Sequence, residues 1–452
     1  MADDSQISPG ITRKLVGFLV DTPASAIPPS TGHFAKRVLL DTIGVSLAAA
    51  HRPIGNILSG YVREAGQGAA ATSTVIGCGF KTTAPLAAMV NGSLSNSMDY
   101  DEGFHVATHT VPALLALAER TGASGRDVLD ALVIGYEAGA KFTRLIDAKR
   151  KQQRGPTHRG WWHVGLVGPI AAAFTCSRLL KLDQHATAMA IGIATCSSGG
   201  FRRNMGTMAK GLHSGHGARD GIEAVLLAQR GFKSDPEVIE APLGFLHAVV
   251  DPEDRELSAV MEFLGNPYEL EKAPGVKDIP ACTPAHAMIN TTVAAVKKGG
   301  RSHWEIDMVE ADLHTFSLNR AVPTDEDSAG FCGAFLVAAA LVHGRVGLEQ
   351  VSDEAVAEPA IKAMMQRIRH TPTATKGVER VKIRYRDGTE VVAEGTNRPN
   401  RLVTDEAVSA KFRECASPLL GTSELDCIEE QIAALEHQPN ISRLMAAAMG
   451  RA

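Results

Sequence analysis

The segment VKIRYRDGTEVVAEG, residues 381–395, decides how this 452-residue chain divides. Val381, Ile383 and Tyr385 alternate with charged residues, Asp387-Gly388 forms a two-residue turn, and Val391 lies on the return. That pattern is a β-hairpin with one buried face. Working outward, WEIDMVEADLHTF (304–316) also alternates as a strand does, and apolar helices near 329–342 and 354–367 lie between the two. Before residue 270 the chain reads as helix after helix with no convincing strand pair, and after residue 400 it turns helical again. The expected fold class is therefore mainly α, in two domains. A large all-α helical domain is discontinuous over 1–270 and 400–452, and a smaller α+β lid domain covers 271–399.

Within the helical part, residues 34–50, 126–145 and 166–182 carry apolar positions at helical spacing. Asp183 is placed to cap a helix that runs to Thr195, CSSGGF (196–201) breaks it, and a further helix over 216–231 ends at Gly231. TSTVIGCGFKT (72–82) is a short buried strand or an extended link, and the basic stretch 149–160 is a surface excursion. Only 5% of residues are aromatic and 43 are Gly, which favours helices packed at close axial distance.

The formal charge of −4 gives no global field toward nucleic acid or an anionic membrane. No apolar run reaches the ~18 residues of a membrane span. The acidic start MADDSQISPG does not read as a signal peptide. Seven scattered cysteines without a CxxC point to a reducing cytoplasm and away from a thiolate metal site.

The densest chemistry lies in NGSLSNSMDYDEGFHVATHTVP, residues 91–112, which holds Asp99, Asp101, Glu102, His105 and His109 before an apolar helix taken to start at Pro112. Carboxylates beside imidazoles supply a base near neutral pH and a group to orient it. The same acids would serve equally as caps on a solvated loop. In HRGWWHVG (158–165), Trp161, Trp162 and His163 form either a pocket wall with a histidine tip or a loop anchor. In MAKGLHSGHGAR (208–219), Lys210 sits among small residues with His213 three positions on, and Gly211 and Gly215 would let a ligand come close. A fixed ammonium there would neutralise a carboxylate and stabilise charge growing on it. In KDIPACTPAHAM (277–288), Pro280 and Pro284 stiffen the link between Lys277 and His286. That link is an interdomain hinge, a ligand site, or both. No dinucleotide fingerprint, P-loop, nucleophile elbow, HExxH or zinc spacing is present, so neither cofactor nor metal is expected.

These clusters, in this order, resemble the MmgE/PrpD family across nearly the whole chain. The resemblance rests on SMDYDE…ATH (97–109), GRDVLDALVIGYEAGAKF (125–142), GTMAKGLHSGHGARDGIEAVLLAQRGF (206–232) and K-x-x-P-x-C-x-x-x-H (277–286). It implies a helical body with an α+β lid, a homodimer, no metal or cofactor, and a site for a small carboxylic acid at the domain interface. The activity it implies is a lyase of the dehydratase or decarboxylase type. Isomerase or epimerase chemistry on the same scaffold is the alternative, and a non-catalytic member the lesser one. By resemblance, Asp99 and His109 match a catalytic aspartate and histidine, and Lys210 a carboxylate-holding lysine. Lys277 and His286 match a pair on the lid side. Trp162 aligns with a further family histidine unless a one-residue shift puts His163 there, and His213 lies beside the Lys210 position.

The chain also departs from the family pattern. Gly103 replaces a threonine, Thr110-Val111 replaces Pro-Ser, Ile279 replaces a tyrosine, and Phe331-Cys332-Gly333-Ala334-Phe335 lacks a serine and a tyrosine. The lost hydroxyls imply an acid less polar than citrate, or of another shape. The expected mechanism holds carboxylates on Lys210 and Lys277, with His109, His286 and His163 transferring protons and Asp99 orienting an imidazole.

Overall fold

The computed structural model describes residues 10–147, 159–250, 261–272, 275–313, 320–372, 378–396 and 402–451. The expected excursion at 149–158 and the end of the 304–316 strand, from 314 on, lie outside the described residues.

The body is built from α1 (Ile11–Asp21), α2 (Pro29–Ala49), α3 (Pro53–Ala65), α4 (Ala84–Ser97), α5 (Ala107–Thr121), α6 (Gly125–Asp147), α7 (His163–Leu179), α8 (Gln184–Thr195) and α9 (Ala209–Ala228). Asp183 does cap α8, accepting from the Ala186 N–H at 2.7 Å. Helix α9 runs through the middle, against α4 on one side and α7 on the other. A Cβ at Gly215 would lie 2.1 Å from Ser93 Oγ, and one at Gly221 would lie 2.4 Å from the Ala172 Cβ. Gly211 and Gly215 therefore serve helix packing, not ligand approach, because their missing side chains are what lets α4 come so near.

Three expectations need correction. Helix α9 starts at Ala209, not near 216, so Lys210 and His213 stand on its first turn and a half. Helix α5 starts at Ala107 and carries Pro112 inside it. A strand pair does exist before residue 270: β1 (Ser73–Val75) and β2 (Phe80–Thr82) form a short antiparallel hairpin. Its turn needs the left-handed backbone of Gly77 and Gly79 (φ 71° and 70°), and three-residue strands leave too little alternation to read.

The second unit holds α10 (His286–Gly299), β3 (Ile306–Leu313), α11 (Gly333–His343), β4 (Ile368–Pro372), β5 (Val378–Tyr385) and β6 (Glu390–Thr396). Its sheet has the order β4-β3-β5-β6, with β4 parallel to β3 and the other pairs antiparallel. Val309 pairs with Ile383 and Ala311 with Val381, placing these side chains on the face that packs with Ile289 and Leu336. The hairpin over 381–395 is as read; β4 was not foreseen.

The larger core includes side chains from Ile11 to Leu270 and also Phe412, Ile428 and Leu444. The last three belong to α12 (Asp405–Ala416), α13 (Thr422–Ala433) and α14 (Ser442–Ala448). The fit on α2 is close: the Phe412 ring lies 3.1 Å from where a Gly44 Cβ would be. Beside it, Lys411 Nζ meets Asp41 Oδ1 at 2.6 Å and the Tyr100 carbonyl at 2.5 Å, with both charged side chains almost wholly buried. Burial pushes Asp41 up to about 6 despite the ammonium next to it. Among the described residues, no helix is long and apolar enough to cross a membrane.

Because each charge is buried against the other, removing one alone should cost about 3–5 kcal/mol. Lys411→Met is expected to lower unfolding stability by that amount in urea titration. Asp41→Asn combined with Lys411→Met should recover much of the loss.

Candidate active site

The site begins where α4 ends. Asn96 is in the last turn of α4, and Asp99 follows in a left-handed conformation (φ 53°), which turns its carboxylate back beneath the helix end. The loop then runs to His105, also left-handed (φ 62°), before α5. Two non-glycine residues in this region within one loop are held there by surrounding bonds. The Glu102 carboxylate accepts the N–H groups of Phe104 (2.6 Å) and Ala107 (3.0 Å), satisfying the buried start of α5. The Tyr136 hydroxyl also donates to it. Burial, and then Asp101 next door, raise the Glu102 carboxyl.

Into this loop come two buried ammonium groups. Lys210 Nζ lies 2.8 Å from Asp99 Oδ1, and also donates to the Asn96 carbonyl at 2.6 Å and to Asn96 Oδ1 at 3.0 Å. Lys277 Nζ lies 3.1 Å from Asp99 Oδ2 and 3.8 Å from Asp101 Oδ1, and donates to the Asp99 carbonyl at 2.8 Å. Lys277 is brought there by backbone pairing: its N–H bonds the Asp101 carbonyl at 3.3 Å, and Val276 bridges Glu102 on one side and Leu402 on the other. Burial alone would raise Asp99, but Lys210, Lys277 and His105 more than reverse that and hold it well below the usual carboxylate range. Asp101 is lowered in the same way, chiefly by His105 and Lys277 working against its burial.

The opposite wall is carried by α7. Trp162 precedes the helix and His163 opens it, and the loop after α8 is zipped onto this start. Trp162 N–H bonds the Gly200 carbonyl at 3.0 Å, and Trp161 stacks on Phe201 at 5.1 Å. Pro169, inside α7, cannot bond the Gly165 carbonyl, and the Gly199 N–H takes that place at 3.0 Å. Pro112 in α5 likewise leaves the Thr108 carbonyl to Ser95 Oγ, at 3.1 Å.

The Trp162 ring faces Lys210 Nζ at 5.4 Å, His213 at 5.1 Å and His105 at 6.2 Å. The His163 ring lies 6.0 Å from that of His105, so Trp162 and His163 border the cluster together. His213 donates through Nδ1–H to the Ala209 carbonyl at 2.9 Å, and burial lowers it.

Asp99, Lys210 and Lys277 thus meet directly, and Trp162, His163 and His213 line them. His109 and His286 are placed otherwise. His109 is in the first turn of α5 against Gly168, fully buried, and among the described residues neither ring nitrogen has a hydrogen-bond partner. Burial, helped by the charge of His105, lowers it to about 3. His286 is buried against its own loop, 3.1 Å from the Ala281 carbonyl and 3.4 Å from Asp278, and burial lowers it too. Of the departures, Ile279 is buried in the core of the second unit, and Cys332 directs its thiol to the Ala321 carbonyl. The Phe331 ring stands 5.7 Å from Lys210 Nζ.

Sequence reasoning counted Asp101 and His105 among the carboxylates and imidazoles of 91–112 without giving either an individual role, and it did not single out Asn96. Asp101 and His105 lay in the stretch 91–112, and their spacing of four was the available signal. Asp99, Asp101 and His105 offer donor atoms within 4.8 Å of one another. A divalent cation there would sit beside two fixed ammonium groups already bonded to Asp99, so the donor set does not suit one.

A helical body, an α+β unit and a buried cluster of two ammonium groups around one carboxylate are the features that define this molecule. The comparisons give the family. The MmgE/PrpD N-terminal domain matches residues 13–258, and the MmgE/PrpD C-terminal domain matches residues 279–437. The chain belongs to the MmgE/PrpD family. Among curated proteins it is similar to a cis-aconitate decarboxylase-like protein of Aspergillus oryzae, 27% identical over 99% of both chains. It is also similar to the cis-aconitate decarboxylases of Mus musculus (24%, over 96% of this chain and 93% of that one) and Aspergillus terreus (24%, over 98% and 96%).

The neutral state of His109 has a stability consequence. Between pH 6.5 and about 3 the unfolded chain binds a proton at this position that the native chain does not. Stability therefore falls as pH drops through that window. For His109→Phe, the stability gap to wild type in urea titration should narrow between pH 8 and pH 5.

Proposed function

We propose that this protein is a cofactor-independent lyase acting on a small di- or tricarboxylic acid, with decarboxylation of a cis-aconitate-like acid the favoured reaction. The observation that carries the reading is the convergence of Lys210 and Lys277 on the two oxygens of one buried carboxylate, at 2.8 and 3.1 Å. A site that holds Asp99 in this way is built to bind carboxylate groups. The names of the similar proteins favour loss of CO2, and dehydration is the second reading.

In this account the lysines hold substrate carboxylates and stabilise the electron pair left when a carboxyl group departs. Asp99 keeps both ammonium groups aimed while the site is empty. His109, kept neutral, donates a hydrogen bond to a substrate oxygen, as an uncharged imidazole can. His163 adds to the polar lining, His286 stays behind it on its own loop, and Trp162 and His213 shape the wall. Cys332, Phe335 and Ile279, where the family pattern carries hydroxyls, favour an acid without a citrate-like hydroxyl. A homodimer fits the family resemblance and is checked by light scattering.

A panel of cis-aconitate, 2-methylcitrate, citrate and itaconate, followed by proton NMR in deuterated water, tests the reaction. Expected is turnover of an unsaturated tricarboxylate with loss of CO2 and one deuterium gained on carbon. Deuterium wash-in with neither CO2 nor water lost would point instead to an epimerase. Lys210→Ala and Lys277→Ala should each lower kcat/KM by about 10²–10³-fold; full turnover in either variant would refute the carboxylate clamp.

A further inference from the structure

The histidine that the geometry prepares best for proton transfer is one the family resemblance does not single out. His105 Nδ1 lies 2.6 Å from Asp101 Oδ2, a carboxylate with a side chain only 1% exposed. A hydrogen bond to a carboxylate fixes the tautomer, with the proton on Nδ1 and the lone pair of the neutral ring on Nε2. Nε2 is turned toward the charged cluster, 3.8 Å from Asp99 Oδ1, the oxygen that also meets Lys210. The Asn96 amide lies between Lys210 and His105: its Oδ1 accepts from Lys210 at 3.0 Å, and its Nδ2, 3.1 Å from His105 Nδ1, makes no hydrogen bond to a nitrogen whose proton goes to Asp101.

The ring is set in place without being sealed. Its side chain is 13% exposed, with Trp162 and His163 on its flanks at 6.2 and 6.0 Å. His109, by contrast, is buried without a hydrogen-bond partner among the described residues, and burial lowers it to about 3. Its ring is uncharged at neutral pH, which suits it to donate a hydrogen bond and not to give up a proton from a cation. The left-handed backbone of His105 is a strained conformation for a residue with a Cβ, and it is what turns the ring inward.

We propose that His105 is the proton-transferring residue of this site and that Asp101 is its positioning residue. The inference rests on the lyase reading. As the C–C bond to the departing carboxyl group breaks, CO2 leaves and the electron pair stays on carbon beside the remaining carboxylates. The His105 imidazolium gives its Nε2 proton to that carbon and, once neutral, takes a proton from solvent. One carboxylate and one proton become one C–H bond and one CO2. Asp101 stays ionised and supports the imidazolium. The groups that face His105 and set its behaviour are Asp99, Asp101, Glu102 and Asn96 from its own segment, Lys210 from α9, Lys277 from the second unit, His163 from α7 and His109 from α5.

The experiment compares wild type with His105→Gln and Asp101→Asn, using whichever acid of the panel wild type turns over. Expected is a loss of 10²–10⁴-fold in kcat for His105→Gln, with the acid still raising Tm as it does for wild type. Asp101→Asn should lose less and should move the pH–rate profile toward acid, because removing a carboxylate beside an imidazole disfavours the charged ring. Turnover of His105→Gln within about threefold of wild type, against that scale, overturns the proposal. So does an Asp101→Asn profile that falls without moving. His105→Asn replaces the glutamine variant if the latter does not fold. A second measurement needs no turnover: nitrogen NMR of the ring should show the Nδ1–H tautomer in wild type and its loss in Asp101→Asn, and an Nε2–H tautomer in wild type refutes the pairing. If wild type turns over no acid of the panel, the lyase reading falls while the tautomer still decides the pair.

Discussion

Everything at the centre of this molecule depends on one carboxylate shared by two ammonium groups. Asp99 takes Lys210 on one oxygen and Lys277 on the other, and all three side chains are buried. Three charges removed from water are tolerable only when each is paired and also hydrogen-bonded. The main-chain carbonyls of Asn96 and Asp99 each take one further ammonium proton, and Asn96 Oδ1 takes another from Lys210. The arrangement ties three distant segments to one point: the end of α4, the start of α9, and the strand-like link that carries Lys277 from the second unit.

Such a point can exist only if the scaffold brings helix ends close without burying unsatisfied backbone. Glycines do the first job where α9 meets α4 and α7. The interior prolines of α5 and α7 show how the second is done, since each frees a carbonyl that another part of the site then bonds. The Ser95 hydroxyl reaches one of them from α4, and the Gly199 amide reaches the other from the loop after α8. The same bonds that repair the helices hold the walls of the site in register.

Much of this could be read from the residues, and what could not has identifiable causes. The hairpin over 381–395 was legible because its strands are long enough to alternate and its turn is Asp-Gly. The strands β1 and β2 were not, being three residues each. Helix α9 was placed too late because its glycines look like breakers, and only the packing against α4 shows why they are tolerated. At the site, Lys210, Lys277 and Asp99 were expected to act together, and they do meet. His109 was expected beside them as an acid or base, and burial gives it a neutral ring, something no spacing pattern can reveal. The pairing of His105 with Asp101 depends on a left-handed backbone at a non-glycine residue, which sequence does not announce.

The tail has a consequence for how the chain comes into being. Lys411 reaches the Tyr100 carbonyl next to Asp99, and the Gly77 and Gly79 amides bond the carbonyls of Ala448 and Met449. The acidic loop is therefore left unbraced until the segment 404–449 has packed against α2 and the β1–β2 turn. Helices that form early cannot by themselves fix the centre; the docking of that late segment does.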